Sequence, residues 1–233
     1  MTRLCLTAEG QTEQTFAARL LTPHLVPLGV YLAKARCALT SKKKGARGGL
    51  FRYQVVRDDI RRWLKEDRAP DVWFSTMFDL YKLPNEFPAY SETRSEPDPY
   101  VRVAKLETAF AEDVDDSRFI PYIQLHEFEA LLLAKPDEIA RHFDCDLRHI
   151  NPLVAACEKC ESPELIDDGE QTAPSKRIGE QIPEYLDAKP TAGPIVAAEI
   201  GLETIRAKCP HFNDWLTKLE GLAPATPSLN PEP

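Results

Sequence analysis

Apolar residues fall in short dense runs through the first 125 positions and at helical spacing beyond them. Leu4, Leu6 and Ala8 predict a buried strand over residues 3–8. Phe16, Leu20, Leu21 and Leu25 share one face and predict a helix over 12–27, capped by Gln11 or Thr12 and kinked or shortened by Pro23. A second strand is expected from Val30 to Leu39. Val55, Val56, Ile60, Trp63 and Leu64 predict a helix over 51–66, with Arg57, Arg61, Arg62 and Lys65 mostly outward. The unbroken apolar run 72–78 predicts a strand buried on both faces. Residues 80–98 read as a loop, and Asp98-Pro99 opens a helix to about residue 112. A strand over 119–125 turns into a helix over 126–134.

After about residue 136 the strand pattern stops. Segments 136–143, 151–160, 175–187, 193–207 and 212–220 read as helices separated by Pro and Gly. The proline-rich tail after Gly221 reads as disordered. Alternating strands and helices predict an α/β fold, a mostly parallel sheet flanked by helices with a C-terminal helical extension. The expected division is a core over 1–135, an extension over 136–222 packed on it, and a tail over 223–233.

Three of these strands end in acid: Glu9 after the first, Asp79 after the run 72–78, and His126-Glu127-Phe128-Glu129 after the last. Ligands of open α/β sheets bind at the carboxyl ends of the strands. Carboxylates gathered there repel unless a cation intervenes, and Mg²⁺ favours such hard oxygen ligands. Each acid also has a structural reading. Glu9 and Glu13 would suit a helix N-terminus, Asp79 a turn, and Glu127 a buried pair with an arginine. On a helix, His126 and Glu129 would face one way and Glu127 another.

Taken alone the net charge of -8 disfavours a polyanionic partner, but its distribution changes that picture. Residues 34–68 hold 12 Lys/Arg against 4 Asp/Glu, a balance of +8, which leaves -16 for the rest. Lys42, Lys43, Lys44 and Arg47 stand among three glycines, a pattern suited to phosphates of DNA or RNA alike. Arg61 and Arg62 would add to it. Ser175-Lys176-Arg177 follows Pro174 at a helix start, where Lys176 could neutralise developing charge and Arg177 could hold a phosphate. Cys157, Cys160, Cys209 and His211 match a Cys₃His zinc set by count, but the Cys-x-His spacing is tight and the pairs lie far apart; buried thiols are the alternative. No G-x-S-x-G, P-loop or dinucleotide fingerprint occurs, so serine hydrolase, NTPase and dehydrogenase readings lack support. With no signal-peptide pattern and no apolar stretch near about 18 residues, a cytoplasmic protein with reduced cysteines is expected.

Four strings carry a family resemblance: Glu9-Gly10-Gln11-Thr12-Glu13, Phe78-Asp79-Leu80-Tyr81-Lys82-Leu83-Pro84, Ile123 to Leu132, and Thr172-Ala173-Pro174-Ser175-Lys176-Arg177. Together they resemble a bacterial family catalogued as domain of unknown function 4276, itself related to Toprim nucleases and RloB-like proteins. The resemblance implies Mg²⁺- or Mn²⁺-dependent phosphodiester cleavage, nucleic acid as substrate, and an ABC-type ATPase partner in anti-phage defence. Toprim domains carry a Glu after the first strand and an Asp-x-Asp after a later one. Glu9 and Asp79 match the Glu and the first Asp. Tyr81 stands where the second Asp would be, so Glu127 or Glu129 would supply the missing metal ligand. Two alternatives stay open: a catalytically degenerate subunit that binds nucleic acid and docks on the ATPase, and a phosphohydrolase acting on nucleotides.

Overall fold

The computed structural model describes residues 1–38, 52–166 and 172–224. Five strands, β1 (Thr2–Ala8), β2 (Val30–Cys37), β3 (Val72–Asp79), β4 (Phe119–Ile120) and β5 (Ile123–Gln124), pair in parallel. Their order is β2-β1-β3-β4, with β5 also against β3. Helices α1 (Gln11–Phe16) and α2 (Thr22–Leu25) follow β1; α3 (Tyr53–Glu66) precedes β3; α4 (Tyr90–Thr93) and α5 (Pro99–Val114) separate β3 from β4. Then come α6 (Glu129–Leu132), α7 (Pro136–His142), α8 (Asn151–Glu158), α9 (Pro174–Gln181), α10 (Glu184–Ile200), α11 (Leu202–Lys208) and α12 (Pro210–Glu220). The chain is therefore an α/β protein, with its sheet covered by helices. Among the described residues no helix is long and apolar enough to cross a membrane.

Strand alternation divides the core in two. Leu4, Leu6 and Met77 face a cluster formed with Phe16, Leu20 and Leu21 and with Val196, Ile205, Phe212, Trp215 and Leu216 of the last three helices. Cys5, Val72, Phe74 and Phe78 face the other way, onto Val56 and Ile60 of α3 and Val103, Leu106 and Phe110 of α5. The C-terminal helices thus cover one face of the sheet together with α1 and share a core with β1. Leu222 and Ala223 also pack on this cluster, and Thr2 Oγ1 donates to Leu222 O at 2.8 Å. The chain expected to be loose after Gly221 is thus tied down through Ala223. The rest of the expected tail, 225–233, lies outside the described residues.

The strand expected over 119–125 is interrupted. Pro121 has no N–H to give to a ladder and separates β4 from β5. Hydroxyls of β3 take over the lost bonds. Ser75 Oγ donates to Ile120 O at 2.6 Å and accepts from Trp215 Nε1 at 2.9 Å. Thr76 Oγ1 accepts from Tyr122 N–H at 3.0 Å and donates to Tyr122 O at 3.1 Å. Tyr122 lies flat on Trp215, ring centroids 4.2 Å apart.

Several other boundaries differ from the sequence expectation. The helix expected over 12–27 is broken into α1, a wide turn over Ala17–Leu21, α2 and a short 3₁₀ turn over Val26–Leu28. Pro23 would clash with the carbonyl four residues back, and the wide turn ahead of it relieves that clash. The cap of α1 is Gly10, whose N–H donates to Glu13 Oε2 at 2.8 Å, in place of Gln11 or Thr12. The 80–98 segment contains a 3₁₀ turn over Leu80–Lys82 as well as α4. The break expected near Gly193 does not occur: α10 runs through Pro190 and Pro194 to Ile200. An interior proline costs about 3 kcal/mol, and tertiary packing overrides it here. A Cβ on Gly193 would stand 3.2 Å from Phe128 Cε1 and 3.4 Å from Thr12 Cγ2, so the absent side chain lets α10 press onto α6 and α1.

Replacing Thr76 by Val keeps the shape and removes the hydroxyl that satisfies both backbone groups of Tyr122. An unmatched buried group costs about 1–3 kcal/mol. Thermal denaturation of Thr76→Val is therefore expected to show a Tm lower by roughly 5–10 °C.

Candidate functional site

The carboxyl ends of β1, β3 and β5 meet at one point. Glu9 N–H donates to Met77 O at 2.9 Å, which holds the residue after β1 level with the end of β3. Asp79, the last residue of β3, pairs in register with Gln124 of β5, and its N–H donates to Glu9 Oε2 at 3.0 Å. Glu13 turns back from the first turn of α1 onto Gly10.

After β5 the chain reverses sharply. His126 takes a left-handed conformation, φ 62°, in place of the expected helix start. Such a backbone costs about 1–3 kcal/mol in a residue other than Gly. Its carbonyl accepts from Tyr81 N–H at 3.1 Å, tying this turn to the one after β3. The turn carries Glu127 and Glu129 together into the same cleft, so the expected split of His126 and Glu129 from Glu127 on a helix does not hold. Glu127 Oε1 accepts from Ser175 N–H at the start of α9, where an arginine partner was the alternative. Glu129 Oε1 accepts from Tyr185 OH at 3.1 Å and lies 3.4 Å from Lys189 Nζ, both on α10.

The result is a cleft of about 440 Å³ lined by Glu9, Glu13, Asp79, Glu127 and Glu129, with Lys82 and Lys189, and with Cys37 and Pro190 at its margin. Asp79 is at the centre of the charge. Burial first, then repulsion from Glu9, Glu13, Glu129 and Glu127, holds its carboxyl well above the usual range. Its Oδ1 is buried with no hydrogen-bond partner among the described residues. Burial and Glu13 push Glu9 up to about 8, against the opposing effects of the Asp79 N–H and Lys82. Burial and Glu127 push Glu129 up to about 7, against Lys189 and Tyr185. Burial raises Glu13 as well.

Glu9, Asp79, Glu127 and Glu129, all expected from the sequence, are thus brought together. Glu13, Lys82 and Lys189 were not expected. Glu13 follows Gly10 by three residues, a spacing that reads as an ordinary helix cap. Lys189 has no local signal at all. Its place depends on α10 packing beside α6.

Lys42, Lys43, Lys44 and Arg47 of the expected phosphate contacts lie outside the described residues. Arg61 donates to the carbonyls of Asp113 and Val114 at the end of α5. Arg62 is exposed, 3.7 Å from Asp59. Lys176 is exposed on α9, and Arg177 Nε donates to Thr172 O at 2.7 Å beside a separate hollow near Cys160. None of these four lines the acidic cleft. Tyr81 lies against the His126 ring, centroids 5.4 Å apart, and does not line the cleft.

The zinc alternative does not assemble. Cys157 Sγ donates to Leu133 O at 3.5 Å, while His211 Nε2 meets Glu107 Oε1 at 3.0 Å and Ile123 O at 3.1 Å. All six cysteines are free thiols. Among the described residues no three His, Cys, Asp or Glu side chains stand ready as a metal cage, the acids of the cleft included. Glu9, Glu13, Glu127 and Glu129 each turn an oxygen to the N–H, hydroxyl and ammonium donors named above.

The raised carboxyls set a pH dependence. A carboxyl whose folded pKa exceeds its unfolded value favours the fold below the unfolded pKa and loses that contribution as pH rises through the folded one. For Glu9 and Glu129 the window runs from their ordinary value of 4.5 up to about 8 and about 7. In EDTA, Tm is expected to fall between pH 5 and pH 8, by about 2–4 °C per kcal/mol lost. Asp79→Asn, which removes the central charge, should flatten that decline.

No curated protein and no solved structure matches the chain. One family model matches residues 8–220, a span that includes every acid of the cleft and all three helices of the layer behind it. The chain belongs to the family described as Domain of unknown function (DUF4276).

Proposed function

We infer that the protein is a divalent-cation-dependent phosphodiesterase acting on nucleic acid, a nuclease. The observation that carries this reading is the convergence of Glu9, Asp79, Glu127 and Glu129 in one cleft at the carboxyl ends of parallel strands. The donor set is all hard oxygen, which suits Mg²⁺ or Mn²⁺. Asp79 Oδ1 is buried without a partner among the described residues, and five acids outnumber the two lysines of the cleft. The chemistry of the residues therefore fits such a cation, with Asp79, Glu9 and Glu127 or Glu129 as its holders. When bound, it supplies positive charge beside phosphoryl oxygens and a more acidic water.

The chain's own groups account for the rest. The Asp79 N–H fixes the Glu9 carboxylate through Oε2. Glu9, held in place by that bond, takes the proton of the attacking water. Tyr185 OH fixes Glu129, and Ser175 N–H fixes Glu127, so the acids are oriented before substrate arrives. The resemblance to Toprim nucleases points the same way and adds, as part of the proposal, a cytoplasmic setting in anti-phage defence beside an ABC-type ATPase. The cations at 42–47 would track the phosphate backbone.

The test is cleavage of plasmid, single-stranded DNA and total tRNA with Mg²⁺ or Mn²⁺, with and without a neighbouring ATPase. Glu9→Gln and Asp79→Asn are expected to reduce cleavage by at least about a hundredfold while remaining folded. Retained cleavage in either variant would overturn the assignment. Tyr81 in place of a second aspartate favours a binding subunit instead, and salt-sensitive binding without any cleavage would select it. Added Mn²⁺ should also raise Tm at pH 8 more than at pH 5, and Asp79→Asn should lose that gain.

A further inference from the structure

Of the cations expected to meet phosphate, none among the described residues reaches the acids, while two unexpected ones do. Lys82 sits in the turn directly after Asp79, lines the cleft and is exposed; it forms no ion pair among the described residues. Lys189 lines the same cleft from α10. Its side chain keeps 30% of its exposure although its ammonium lies 3.4 Å from a nearly buried carboxylate. Tyr185 and Lys189 are four residues apart and meet the same oxygen, Glu129 Oε1. The tyrosine makes the hydrogen bond to that oxygen, whereas the lysine contact is an ion pair at 3.4 Å, so Tyr185 is the group that holds Glu129 in place. An ammonium has three donors, and the Glu129 contact engages one.

Charge points the same way. Five acids against two lysines leave a cleft that repels a polyanion once the acids are ionised. Even with a divalent cation bound, a phosphodiester needs the lysines facing it. We propose that Lys189 is a phosphate-contacting residue of this cleft, taking a non-bridging oxygen of the nucleic-acid backbone, with Lys82 receiving a neighbouring phosphate from the turn after β3. The C-terminal layer then contributes directly to substrate binding. This rests on the nuclease reading only for the consequence of binding, since phosphate contact is measurable without turnover.

The experiment uses the full chain and a fluorescent single-stranded oligonucleotide with phosphorothioate linkages, in Ca²⁺ at pH 8, read by anisotropy across a salt series. Lys189→Met and Lys189→Gln are each expected to weaken binding about tenfold, as the loss of a charge-assisted contact does. The slope of log affinity against log salt should fall by about 0.7, the share of one single-strand phosphate contact. Lys82→Met should give a smaller loss of the same kind, and Lys189→Arg should restore the slope. Mn²⁺ affinity, measured by calorimetry, should not weaken in Lys189→Met. Unchanged affinity and slope in both Lys189 variants would overturn the proposal. So would loss of Mn²⁺ affinity together with loss of oligonucleotide, unfolding of both variants, or no binding by the wild type. Wild-type binding without cleavage in Mg²⁺ would instead remove the nuclease reading and leave the phosphate contact standing.

Discussion

Carboxylates crowded out of water repel one another, and this protein keeps five of them in one cleft. That repulsion is the constraint around which the site is built. Asp79 bears the most of it, next to four other acids and with one oxygen unmatched. Each neighbour is held by a donor from a different part of the chain: Glu9 by the end of β3, Glu13 by Gly10, Glu127 by the start of α9, and Glu129 by α10. None of these donors neutralises the set. They orient it, which leaves the electrostatic imbalance available to a ligand of opposite charge.

The frame that allows this is a parallel sheet whose strands stop at the same level. The Glu9 N–H to Met77 bond and the pairing of Asp79 with Gln124 set that level to within one residue. The break at Pro121 matters for the same reason. Two hydroxyls of β3 carry the chain across it, so β5 begins in register and delivers Leu125 and His126 at the right height for the reversal. The strained His126 then does what a helix could not, since it brings two acids of adjacent turns to one side.

Much of this was legible from local pattern. A period of two, or an unbroken apolar run, located β1, β2 and β3, because burial of a strand is written into its own residues. The acids at strand ends followed from the rule that parallel sheets expose their functional groups there. What local pattern missed was set by contacts distant in sequence. The helix expected at 126–134 shrank to Glu129–Leu132 because the Tyr81 N–H to His126 bond favours a turn. The prolines of α10 read as breaks, yet burial against α1 and α6 kept the helix whole. Arg61 reads as an exposed cation on an amphipathic helix, but the open carbonyls at the end of α5 capture it. Lys189 was invisible because nothing near it in sequence is acidic at the right spacing.

The position of α10 in the chain carries a consequence for synthesis. Residues 1–135 hold every acid of the cleft, but the wall bearing Tyr185 and Lys189 lies fifty residues further on. A growing chain emerging from the ribosome therefore displays its acids, and the apolar face of β1, well before the helices that cover them exist. Until α10 has been made, Glu129 has neither its tyrosine nor its lysine. Whatever the cleft binds, a partly translated chain lacks one of its walls.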